Sequence, residues 1–186
     1  LLRFFPAAQG RTRLIYQGVD KRIFYPLSDP ESREAKKIVR MKGISRPFLL
    51  CVGTIEPRKN LQGVLTAVRI LKDRKQFDGQ IVIVGMKGWL MEGLARVLEE
   101  NRLTSDCVFP GYVADRELRA LYNQAEVFVY PSLYEGFGYP IVEAFSCGAA
   151  VVTSRTSSCG EIAGEAALLV EPENAEDIAG RIGDMM

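Results

Sequence analysis

The sequence predicts an α/β domain in which helices cover both faces of one doubly wound parallel sheet. Three observations predict it. Short runs of continuous Val, Ile and Leu recur at strand length, as strands buried on both faces require. Helical stretches separate them, so the strands connect by crossovers rather than hairpins. Turns follow the runs, at Gly53, Gly85 and Pro110-Gly111 among others, which places candidate loops at the carboxyl ends of the strands.

The elements follow in order from Pro47. Phe48-Val52 is the first strand and ends at Gly53. Asn60 can cap a helix reaching about Lys75, with Leu61, Val64, Leu65, Val68 and Leu71 on one face. Strands are predicted at 81–84, 107–109, 127–130, 150–153 and 167–170. Helices are predicted at 91–101, 115–123, 140–146 and 175–186, with Glu161 opening a further short one. Ahead of this rhythm, residues 1–26 read differently, with an apolar start, a Gly-Arg-Thr turn and the Gly18-Val19-Asp20 corner. Residues 27–46 form a charged linker helix that Asp29-Pro30-Glu31 can start and Gly43 can stop. The domain proper is 47–186, without internal repeat.

At 186 residues and 47% hydrophobic, the chain can bury one full core. Net charge is +1, which argues against a nucleic-acid groove built from bulk charge. The longest apolar runs are strand-length, far short of a membrane span. No signal peptide is visible and Leu1 reads as mid-domain, so the natural start is expected upstream. Cys51, Cys107, Cys147 and Cys159 are scattered, without a CxxC pair. Cys51 and Cys107 sit in strand-like runs, and the reading is reduced, buried cysteines of a cytoplasmic protein. There is no histidine, which removes His-based general bases, Ser-His-Asp triads and most zinc sites.

The chemistry concentrates in Glu135-Gly-Phe-Gly-Tyr-Pro-Ile-Val-Glu143. Pro140 suits the first turn of a helix, and the glycines before it leave the backbone bare for a ligand. First-turn N–H groups and the helix dipole favour an anion such as a diphosphate. Acids at both ends would repel phosphate alone, but they accept strongly from hydroxyls. An anion joined to polyhydroxyl groups describes a nucleotide-sugar. The plainer alternative is a strand-to-helix turn with Glu143 an ordinary helix residue.

Gly53-Thr-Ile-Glu-Pro-Arg58-Lys59-Asn60 places two cations just before a helix start, where they oppose the dipole and need an anion to offset them. A solvated loop is the alternative there. Gly111-Tyr112-Val113 reads as a turn or as the lining of a base pocket. Trp89 reads as packing at the sheet edge, and Glu161 as serving a helix start.

Together these residues resemble the C-terminal half of the retaining, GT-B-fold glycosyltransferases of family 4, "group 1". The motifs that carry the resemblance are Phe48–Gly53 with Glu56-Pro-Arg-Lys-Asn60, Ile81-Val-Ile-Val-Gly85, Phe109-Pro-Gly-Tyr-Val113 and Val127-Phe-Val-Tyr-Pro-Ser132. The Glu135/Glu143 pair and Ala166-Ala-Leu-Leu-Val-Glu-Pro172 complete them. Residues 15–26 are similar to the segment joining the two halves, so the resemblance covers nearly the whole chain. Two positions depart from it: Thr54, where many relatives have arginine, and Gln17, where relatives commonly have asparagine.

The resemblance implies a Rossmann-like domain and a role for each matching position. Arg58 and Lys59 hold the donor diphosphate, with Arg58 standing in for the arginine missing at Thr54. Glu135 contacts the transferred sugar, and Arg58, Lys59 and Glu135 form the catalytic set. Gly136, Phe137 and Gly138 cradle phosphates and sugar, with Tyr139 and Pro140 completing the loop, and Glu143 takes the ribose hydroxyls. Gly111, Tyr112 and Val113 lie near the base, and Gly53 gives the diphosphate access to the backbone.

The implied reaction is transfer of a hexose, mannose or glucose, from a nucleoside-diphosphate sugar to an acceptor hydroxyl with retention. No cofactor and no metal is implied, and the chain has no Asp-x-Asp signature. The implied partners are the UDP- or GDP-hexose donor and a missing N-terminal acceptor domain, without which the fragment is expected to be inactive. Peripheral membrane contact would run through that missing half, at the inner face of the cytoplasmic membrane. Another GT-B enzyme, such as a nucleotide-sugar epimerase or a glycogen or starch synthase, is one alternative. A non-catalytic nucleotide-binding domain is another, although no Gly-x-Gly-x-x-Gly follows the first strand.

Overall fold

The computed structural model describes residues 4–86 and 91–186. Its strands are β1 (Phe48–Val52), β2 (Gln80–Val84), β3 (Cys107–Gly111), β4 (Val127–Tyr130), β5 (Val151–Ser154) and β6 (Leu168–Val170). They form one parallel sheet in the order β3-β2-β1-β4-β5-β6, the doubly wound arrangement the sequence predicts. Register is set by pleat alternation. Leu49 and Cys51 face one layer with Ile81, Ile83, Val127 and Val129. Phe48 and Leu50 face the other, with Val82, Val84, Phe128 and Tyr130. Burial on both faces explains why these strands read as continuous apolar runs.

The helices divide between the two faces. On the first lie α2 (Leu61–Asp73), α3 (Met91–Glu100) and α7 (Ala175–Met185). On the second lie α1 (Asp29–Met41), α4 (Asp115–Gln124) and α5 (Tyr139–Ser146). Helix α1 opens on Ser28, whose N–H donates to the Glu31 carboxylate at 3.0 Å, and it ends before Gly43 at φ 81°. Its Ala35 and Val39 are buried, and Gln124 of α4 donates to Ser32 at 3.0 Å. Ahead of it, Phe24 is buried edge-on against Tyr122, and the Asn123 side chain bonds both Tyr25 and Leu27.

Two expectations are corrected. Helix α6 runs Ser157–Ala163, so Glu161 lies within it rather than at its start. The first turn is anchored from outside the helix: Ser158 Oγ donates to the Glu135 carbonyl at 2.9 Å, and Ser157 Oγ accepts from the Glu135 N–H at 3.3 Å. Cys107 is half-buried rather than buried, because β3 is an edge strand. Cys51, Cys147 and Cys159 are buried, all four thiols are free, and burial pushes that of Cys51 up to about 12. The Trp89 reading lies outside the described residues.

Candidate functional site

The crossovers leave β1 toward β2 and β3, and the chain then returns to the other side of β1 as β4. The loops after β1 and β4 therefore part at the carboxyl ends of two neighbouring strands, which is where doubly wound sheets hold ligands. Arg58 and Lys59 reach this crevice from the β1 loop, and Glu135 reaches it from the β4 loop.

The β1 loop is shaped by local rules. Pro57–Lys59 make a 3-10 turn and Asn60, at φ 55°, caps α2 by accepting from the Gly63 N–H at 3.3 Å. The same amide donates to the carbonyls of Pro131 and Pro172, at 3.2 and 2.5 Å, and so ties three carboxyl-end loops together. The Leu133 N–H donates to the Arg58 carbonyl at 2.8 Å. Gly53 has φ 141°, and a Cβ there would stand 3.0 Å from Lys59 Cε. The resemblance implies Gly53 as access for a diphosphate; in the fold the Lys59 stem packs against it.

At the centre sits the Glu135 carboxylate, 8% exposed. It accepts from Lys59 Nζ at 2.6 Å, from Arg58 Nη1 at 2.6 Å and from Tyr130 Oη at 2.8 Å. Lys59 Nζ also donates to Tyr130 Oη, and Arg58 Nη2 pairs with Glu56 at 2.6 Å. Burial by itself pushes the Glu135 carboxyl up. The three donors outweigh burial and hold it below the usual carboxylate value. Burial, seconded by Glu135, pushes the Tyr130 phenol well above its usual range.

Beside this cluster three backbone N–H groups donate to no partner among the described residues: those of Gly136, which is exposed, Phe137, which is half-buried, and Gly138, which is buried. Gly138 precedes α5 at φ 103°, a conformation suited to glycine, and Pro140 occupies the first turn. Tyr139 Oη donates to the Gly18 carbonyl at 3.1 Å, and Phe137 stands edge-on to Tyr139. A cavity of about 240 Å³ is lined by Gly136, Phe137, Tyr16 and Glu161 among others, and Tyr16 Oη donates to Glu161 at 2.6 Å. A larger one, about 380 Å³, lies between α2 and α3 among Ile55, Leu61, Leu94 and Val97; it reaches Glu56, Pro57, Asn60 and Leu133 of the same two loops, but neither Lys59 nor Glu135 lines it. The smaller one is singled out by Gly136 and Phe137 on its wall, whose N–H groups have no partner among the described residues.

Glu143 is half-buried on α5 and accepts from Tyr122 Oη at 2.9 Å. Burial raises its carboxyl, Asp115 adds to the rise, and the Tyr122 hydrogen bond opposes it. Gly111, Tyr112 and Val113 stand at the end of β3, two strands from β1. Tyr112 is exposed, whereas Val113 is buried in the core and leaves only its backbone to a ligand. Tyr130 escaped the sequence reading, where it is only the last residue of a strand. The available signal was a lone hydroxyl at the carboxyl end of an otherwise apolar strand.

Among the described residues no group of three His, Cys, Asp or Glu could hold a metal ion, and no helix is long and apolar enough to cross a membrane.

Residues 32–186 match the family profile described as glycosyl transferases group 1. The chain is 39% identical over 135 residues to the O-antigen chain mannosyltransferase B of Escherichia coli, covering 73% of this chain and 35% of that protein. A GDP-mannose-dependent alpha-(1-6)-phosphatidylinositol monomannoside mannosyltransferase of Mycolicibacterium smegmatis is 29% identical over 178 residues, covering 91% of this chain and 45% of that one. The sucrose-phosphate synthase structure from Thermosynechococcus elongatus superposes with a TM-score of 0.81 at 27% identity, covering 99% of this chain and 45% of that one. The chain thus spans less than half the length of each.

Proposed function

The chain belongs to the group 1 glycosyl transferases, and from that premise we propose that it is the donor-binding half of a retaining hexosyltransferase. Its substrate in this reading is a nucleoside-diphosphate hexose, with GDP-mannose favoured by the names of the relatives. One observation carries the reading: Lys59, Arg58 and Glu135 converge at the parting of the β1 and β4 loops, beside unpaired backbone N–H groups.

The chemistry follows from charge. Transfer leaves negative charge on the departing diphosphate, and fixed cations with helix-end amides oppose it. Lys59 is already paired with Glu135, and Arg58 with both Glu135 and Glu56, so a phosphate must compete with those carboxylates for them. A sugar must likewise compete with the cations for the Glu135 oxygens. A donor carries both groups in one molecule and replaces both sets of bonds together. Glu143, on the next turns of the chain, takes the ribose hydroxyls. No cofactor takes part in this reading, and the charge of Lys59 and Arg58 serves in place of a metal.

The acceptor site and any membrane contact belong to an N-terminal half. Residues 4–26 lead from it, and the transfer builds a cell-surface polysaccharide at the cytoplasmic face of the membrane. Calorimetry of the chain with GDP-mannose, UDP-glucose, an ADP-hexose and NAD tests the reading. Binding of a diphosphate sugar, with GDP-mannose tightest, is expected; binding of NAD alone overturns it.

A further inference from the structure

Tyr130 carries a role that neither the motifs nor the family profile assigns. Its ring is fixed: it is 3% exposed and stacked on Phe128 at 5.6 Å. Lys59 Nζ lies 4.7 Å from the ring centroid, so the ammonium rests against the ring while it bonds the hydroxyl. A phenol has one proton to give and lone pairs to accept with. Here it gives to Glu135 Oε1 at 2.8 Å and accepts from Lys59 Nζ. The two side chains it joins are long and flexible, and their direct contact is the one a diphosphate sugar would break.

We propose that Tyr130 is a positioning residue of this site, whose immobile hydroxyl keeps Lys59 and Glu135 in place once the donor has separated them. The proposal rests on the donor-site reading above. Without the hydroxyl, the ammonium would follow the phosphate and the carboxylate would follow the sugar, each losing the geometry that the transition state needs. With it, each keeps one bond to a group that cannot move. The groups facing Glu135 are Lys59 and Arg58 from the β1 loop, Tyr130 from β4 and the Cys159 thiol of α6, with Glu56 reaching it only through Arg58. Burial keeps the phenol protonated, so it remains a donor to the carboxylate.

The test is Tyr130→Phe in the full-length protein, with transfer from GDP-mannose followed across pH and rates normalised to the folded fraction from thermal unfolding. The change keeps the ring and its stacking. A fall in kcat of roughly tenfold with KM within about twofold is expected, the size of a lost hydrogen bond to a charged group. The acid limb of kcat should move to higher pH, because Glu135 loses one of the donors that keep it ionised. In a Glu135→Gln background the same change should cost less than about twofold, since the partner it acts through is altered. An unchanged kcat, or a loss with the acid limb unmoved, overturns the role of Tyr130 and leaves the donor site standing. Failure of the unaltered protein to bind GDP-mannose or UDP-glucose overturns the donor site itself.

Discussion

Lys59 Nζ and Glu135 Oε1 meet at 2.6 Å although 76 residues separate them in the chain. Each leaves a different strand of the sheet, and each is held by its own loop. The pair is nearly buried, with side chains 11% and 8% exposed, and is therefore screened far less than a surface ion pair. Four expectations follow from this contact and the residues around it.

Lys59→Ala removes the cation that the donor-site proposal sets beside the leaving group, and leaves Glu135 with Arg58 and Tyr130. A drop in kcat/KM of about 10²–10³ for a nucleotide-sugar donor is expected, the scale of losing one preorganised charge-stabilising group. Steady-state kinetics on the full-length enzyme measure it. Unchanged kinetics would refute the assignment.

Glu135→Gln should separate binding from turnover. With the carboxylate neutralised, Lys59 and Arg58 become freer to take an anion, so free GDP should bind more tightly, by roughly three- to tenfold. Sugar transfer should fall at the same time. Calorimetry with GDP, set beside a transfer assay, reads both, and weaker GDP binding would count against the competition.

The two acids carry opposite pH signatures. Glu135 is held below the usual carboxylate value, so its contribution to stability is present above the unfolded value and lost as pH falls through the folded one. Glu143 is raised, so the folded state takes up its proton first and stability declines as pH rises through its window. Glu143→Gln should therefore raise Tm at neutral pH, by about 2 °C for a domain of this size. Glu135→Gln should flatten the loss of stability in acid. Thermal unfolding between pH 3 and roughly pH 8 tests both signs; a lower neutral Tm for the Glu143 variant contradicts the burial argument.

Asn60→Ala should act on both stability and site. It removes the α2 cap and the bonds to Pro131 and Pro172. A loss of about 2 kcal/mol is expected from the cap and the unpaired carbonyls together. Donor affinity should weaken as well, because the β1 and β4 loops lose their tie. Denaturant unfolding gives the first quantity and calorimetry the second. A stability loss with unaltered donor affinity would show that the loops keep their places without it.

Local pattern determined much of this protein by itself. Residues 48–52 and 127–130 read as strands because unbroken apolar runs of four or five residues, the second of them β-branched and aromatic throughout, suit burial on two faces. Asn60 and the Gly138-Tyr139-Pro140 step had to start helices, since their caps and φ preferences act within a few residues. Arg58, Lys59, Glu135 and Glu143 stood out in the sequence because charges beside helix starts and glycine turns need partners; the fold joins the first three to one another and pairs Glu143 with Tyr122 instead. Tertiary structure alone decided what each charge touches. It put the Lys59 stem against Gly53, turned Val113 into the core, began α6 at Ser157 under the hold of Glu135, and set the Tyr130 hydroxyl between the central charges. Those outcomes depend on which strands lie side by side and on which face a pleat turns, and both are set by long-range packing that no short stretch of sequence encodes.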